Sequence, residues 1–139
     1  MLRRLLASVR SGVVKTFRYR TQTIDDSNGA IPERDDSREL WSRVSAELAV
    51  GDSVTGTVVS RQHFGVFIDI GFSTGACGLL LVPEFRDAHN IRYQLDDYPR
   101  VGDLVTALVR GICTERHAIS LTQRQSYDAD TQIWTDPQR

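Results

Sequence analysis

Between Gly51 and Arg124 the chain divides into five short runs of β-branched and aliphatic residues: VTGTVVSR, FGVFIDIG, GLLLV, DLVTALVRGI and AISLTQR. Glycine or polar residues bound each run, the pattern of strands rather than of helices. Polar CTERH reads as the turn between the last two, whereas PEFRDAHNIRYQLDDYPRVGD, after the third, carries two prolines and reads as an irregular or partly helical connection. In the second run, alternation sends Val66, Ile68 and Ile70 to one face and Phe67 to the other. A phenylalanine opposite the core side of a strand calls for a reason.

Five strands with Gly56 and Gly65 inside or beside them, where a sheet must bend sharply, fit a small closed barrel. A long connection between strands three and four is the layout of the OB-fold. The expected fold class is therefore all-β: a five-stranded OB-fold barrel over residues 50–124, a short N-terminal α-helix over 37–49, and flexible N- and C-terminal tails, residues 1–36 and 125–139. The helix is read from DSRELWSRVSAEL, where Asp36 is placed to cap and Glu39 to complete a capping box. Leu40, Val44 and Leu48 recur every four residues beside Trp41, giving an apolar stripe to pack on the barrel.

Residues 1–23 carry Arg3, Arg4, Arg10, Lys15, Arg18 and Arg20 with no acid, and the following IDDSNGAIPERDD is acidic and aperiodic, which reads as a linker. The basic stretch lacks the apolar core of a secretory signal. It fits a disordered tail, an upstream start-codon artefact, a transit-like segment or a nucleic-acid-binding arm. Sixteen arginines to one lysine point to a GC-rich bacterial genome more than to binding chemistry. The longest aliphatic run of the body, Leu79 to Val82, is far too short for a membrane helix. Cys77 and Cys113 are far apart and lack metal spacing, so reduced buried thiols and a cytoplasmic setting are expected, with no metal or cofactor. Neither a GxSxG elbow nor a P-loop is present, and the three histidines lack metal spacing, so no enzyme and no small-molecule substrate are expected.

GDSVTGTVVSRQHFGVFIDIG, GLLLVPEF, VGDLVTALVRGI and ISLT, in that order and spacing, resemble the S-one domain, the RNA-binding OB-fold named for the largest protein of the bacterial small ribosomal subunit. The resemblance spans about Val50 to Arg124. It implies single-stranded RNA, ribosome- or mRNA-associated, as the partner, bound chiefly on strands two and three with bases stacked on exposed aromatics. The family's two aromatic positions fall on Phe64 and Phe67. Other positions match less well: a histidine of the third strand corresponds to Leu81, an aspartate near the end of the fourth falls at Cys113, and a basic residue of the last aligns with Ala118, with Arg116 and His117 nearby.

Phe64 and Phe67 have a plain alternative use, packing against the Trp41 helix or the long connection. Their i, i+3 placement around Gly65, together with the family pattern, favours a contact surface. His63 beside Phe64 is a candidate stacking or phosphate partner or a solvated loop residue. Arg61 is a candidate bidentate phosphate donor or an ordinary surface arginine, and Arg116 and Arg110 are further candidate cations or plain solvent-facing charges. Asp69 is expected on the face of Phe67, where it would repel phosphate. From Trp41 to Arg124 eight arginines face nine acids. A balance this far from basic predicts weak binding with little sequence specificity, or a different partner: a protein docking on the same aromatics with Leu79 or Leu81.

Overall fold

The computed structural model describes residues 28–86 and 97–136. The basic arm of residues 1–23 and most of the long connection lie outside the described residues. Strands β1 (Ser53–Gln62), β2 (Gly65–Asp69), β3 (Gly78–Leu81), β4 (Leu104–Cys113) and β5 (Ala118–Thr122) close into a barrel in the order β1-β2-β3-β5-β4. The β3–β5 pairing is parallel and the others are antiparallel, so the chain must cross between β3 and β4 before β5 can seal the wall. This is the all-β OB barrel expected from the five runs.

Alternation fills the interior. Val54, Val58, Val66, Ile68, Leu80, Val109, Ile119 and Leu121 are each at most 2% exposed and form one core. At Gly56 a β-carbon would overlap the Asp69 carbonyl oxygen, so only glycine lets β1 lie this close to β2. A β-bulge between Val58 and Ser60 shifts the register, and Val58, Val59 and Ser60 are all buried in succession.

Helix α1 (Arg38–Glu47) adds Leu40, Trp41 and Val44 to the core, with Leu48 just beyond its end. Its cap is Ser37, whose Oγ accepts from the Leu40 amide at 3.3 Å, and not Asp36. Ser37 stands the right distance before the third helical amide. Asp36 meets His117 Nδ1 at 2.5 Å instead, tying the helix entry to the β4–β5 turn. No helix among the described residues is long and apolar enough to cross a membrane.

Two segments expected to be loose are built into the structure. The C-terminal stretch forms a hairpin of β6 (Ser126–Asp128) and β7 (Ile133–Thr135). Tyr127 and Trp134 pair at 4.7 Å, Arg110 lies over the Trp134 ring at 4.8 Å, and Arg124 reaches Asp136 at 2.6 Å. Tyr127 also packs on Gly51, where a β-carbon would clash with its ring. Trp134→Ala is expected to cost about 1 to 2 kcal/mol, the loss of one aromatic pair and one exposed cation–π contact. A lower urea midpoint at unchanged m-value would show it.

Residues 28–36, the second half of the expected linker, form an extended strap on the barrel. At one end the Arg61 amide donates to the Asn28 carbonyl at 2.6 Å, and Gly29, at φ 69°, sits so close to Val59 that a β-carbon would overlap its carbonyl oxygen. At the other end Trp41 Nε1 donates to the Asp35 carbonyl at 2.6 Å. Composition reads this stretch as a linker because its partners lie far along the chain.

Candidate nucleic-acid interface

Strand register puts Ser60, Phe67, Leu79 and Ser120 in one row across β1, β2, β3 and β5. Neighbours of Phe67 on its own strand, Val66 and Ile68, are in the core, so Phe67 lies on the outer side of the sheet. The Ser60 end of the row is closed, with Ser60 fully buried and its Oγ donating to the Gly29 carbonyl at 3.4 Å. From Phe67 toward β5 the row opens into a cleft of about 290 Å³. Phe67, Leu79 and Leu81 give it an apolar floor, and Arg34 of the strap and Arg116 of the β4–β5 turn stand at its rim. Leu81 is 42% exposed. Among the described residues, no carboxylate lines this cleft.

The aromatic ledge beside it is fixed by backbone contacts. Val82 donates its amide to the Phe64 carbonyl at 3.0 Å, and Tyr98 donates its hydroxyl to the His63 carbonyl at 2.9 Å. A β-carbon on Gly65 would overlap the Leu80 carbonyl oxygen, so glycine is needed where β2 leaves the turn against β3. Phe64 and Phe67, both half-buried, meet edge to face with centroids 6.0 Å apart, and exposed His63 meets Phe64 the same way at 5.3 Å. The three rings thus form one continuous strip, with Phe67 on β2 and Phe64 and His63 in the turn before it.

Two charged residues are placed otherwise than expected. Arg61 is 7% exposed; its Nε donates to Asn28 Oδ1 at 3.0 Å and its Nη1 to the Tyr98 carbonyl at 3.5 Å. Its guanidinium is taken up by the docked strap and is not presented to a phosphate. Asp69 does share the face of Phe67, yet it is 1% exposed and its Oδ1 accepts from the Gly71 amide at 3.0 Å. It offers no oxygen to a passing RNA. Burial, and secondarily Asp69, push the Cys77 thiol well above its ordinary range. The nucleophilic thiolate is therefore scarce, and native Cys77 is expected to alkylate far more slowly at mildly alkaline pH than in the unfolded chain, as mass spectrometry would read.

Of the other cations, Arg116 is exposed at the cleft. His117, at φ 55°, turns its ring onto Trp41 with centroids 5.0 Å apart. Arg110 is engaged with Gln125 and Trp134 and does not line the cleft. Arg34 and Pro32 are among the cleft residues that sequence reading missed; Asn28-Gly29 and Pro32 marked a turn-rich stretch but not where it docks.

A five-stranded Greek-key barrel whose β2–β3 face carries an aromatic ledge and a cation-rimmed cleft is an OB-type module, a class that binds oligomers on that face. The chain belongs to the S1 RNA binding domain family, whose model matches residues 47–124. It is 33% identical over 99 residues to the rRNA biogenesis protein rrp5 of Schizosaccharomyces pombe, covering 70% of this chain and 6% of that protein. It is 35% identical over 91 residues to the small ribosomal subunit protein bS1 of Leuconostoc lactis, covering 63% of this chain and 20% of the relative. The chain thus spans a small part of the length of these relatives. Among solved structures, GSP13 from Bacillus subtilis aligns with a TM-score of 0.46 at 26% identity, over 66% of this chain and 64% of that one.

Proposed function

We propose that this protein binds single-stranded RNA, weakly and with little sequence preference, by stacking bases on Phe67 and Phe64 while Arg116 meets a phosphate. The observation that carries the reading is the composition of the cleft. The barrel as a whole is nearly neutral, yet among the described residues two arginines and no carboxylate line the cleft beside Phe67. Stacking tolerates any base because each has a π-face, and no side-chain amide is among the described residues that line the cleft. His63, exposed next to Phe64, extends the strip by one ring. The relatives are named for rRNA biogenesis and for the small ribosomal subunit, which supports a ribosomal or messenger RNA as the natural target. Nothing in this function calls for catalysis, and it fits a cytoplasmic protein.

Titration of a short labelled single-stranded RNA at low and moderate salt tests the proposal. Binding is expected at low salt, with log affinity falling against log salt at a slope of about −0.7 for each phosphate contacted. Affinity unchanged in a Phe64→Ala, Phe67→Ala double variant would sink the stacking mechanism, and no binding at low salt would sink the RNA reading for this chain.

Leu81, exposed beside Phe67 and Leu79, favours a second reading: a protein partner seated on the same apolar floor. In that case RNA binding is absent and Leu81→Asp abolishes capture of the partner.

A further inference from the structure

We infer that the strap is a working wall of the RNA site and that Arg34 binds phosphate jointly with Arg116, so that the binding unit includes residues well before the family's domain. This rests on the reading of the cleft as an RNA site. The matched family domain begins at residue 47, and Arg34 lies outside it.

The strap is held at both ends and free to act in the middle. Asn28 bonds Arg61 through its carbonyl at 2.6 Å and its Oδ1 at 3.0 Å, and Ser60 Oγ donates to the Gly29 carbonyl. At the far end Asp35 packs against Gly75, accepts from Trp41 Nε1 and receives the Ser37 amide on its Oδ1 at 2.9 Å. Between these anchors Pro32 and Arg34 stand at the cleft. Arg34 Nη2 donates to the carbonyl of Arg116 at 3.0 Å, drawing one guanidinium to the turn that carries the other. The side chain remains 62% exposed, and Asp36 lies 3.5 Å from it, too long for a strong ion pair.

Two guanidiniums at one open cleft repel each other, and an anion between them relieves the repulsion. Arginine's planar fork suits a phosphate oxygen pair, and a strand laid along Phe67 would pass its backbone between the strap and the turn. The closed Ser60 end leaves the polymer this one side to follow.

The test is anisotropy titration of a short fluorescein-labelled oligouridylate with the full chain, across a salt series. Arg34→Gln is expected to weaken binding about tenfold at low salt, the effect of one charge-assisted hydrogen bond, and to make the salt slope shallower by about 0.7. Arg34→Lys, which keeps the charge, is expected to keep the wild-type slope. Thermal midpoints of both variants should match the wild type. If Arg34→Gln retains wild-type affinity while Phe67→Ala loses binding, the inference is overturned and the cleft reading stands. Weaker binding by Arg34→Gln at an unchanged slope also overturns it, since Arg34 would then act only as a latch between strap and turn. Absence of wild-type binding at low salt overturns both.

Discussion

Phe67→Ala is expected to lower the affinity for a short single-stranded RNA about 5- to 150-fold, the equivalent of the ~1 to 3 kcal/mol that one stacked base contributes. Phe67 is the floor of the cleft, paired across the sheet with Leu79 and in edge contact with Phe64. Removing the ring removes the platform and loosens its neighbour. Phe67→Leu separates two explanations, because leucine keeps an apolar contact with Leu79 and lacks a π-face. Most of the affinity should be lost in Phe67→Leu and most retained in Phe67→Tyr. Anisotropy titrations at low salt, with melting curves to confirm folding, measure all three. A leucine variant that binds RNA as tightly as the wild type would rule out stacking and point to a merely apolar groove.

Gly65→Ala carries the second large effect, on fold and site together. Its β-carbon would overlap the Leu80 carbonyl oxygen and approach Leu81 Cα to 2.8 Å, both backbone atoms of the paired strand. Backbone cannot yield as a flexible side chain does, so β2 and β3 must part at their upper end. A loss of about 1 to 3 kcal/mol, the usual consequence of overpacking, is expected in urea denaturation. RNA affinity should fall as well, because Phe64 and Phe67 flank this glycine and Leu81 shares the cleft. Gly56→Ala is the matched control. It forces a similar overlap with the Asp69 carbonyl but does not line the cleft, so stability should drop while the folded protein keeps its affinity. Equal affinity in the two variants would show that the ledge does not depend on the β2–β3 spacing.

These two glycines also show which parts of the molecule a sequence displays. The barrel was readable because its signals are local: FGVFIDIG alternates with period two, and the glycines fall where strands crowd each other. The outward face of Phe67 was readable for the same reason. Arg61 was misjudged because nothing near it in sequence shows that Asn28, thirty-three positions away, would occupy its guanidinium. Asp69 kept its predicted face, but its burial is tertiary and invisible to alternation. The helix cap slipped by one residue for a similar reason: Asp36 and Ser37 are both good caps, and His117, 81 positions on, decides between them. The C-terminal hairpin has only three residues in each strand and leans on Arg110 and Gly51, so its own pattern is too short to read.

The bond from Arg34 to Arg116 joins residues 82 apart in a chain made from its N-terminus onward. The strap leaves the ribosome before any strand of the barrel, yet its two moorings need α1 and then β1, and its contact with the turn needs β4 and β5. It is among the earliest described residues to be synthesised and must be among the last to settle. The cleft that brings Arg34 and Arg116 together is complete only once β4 and β5 have closed the barrel.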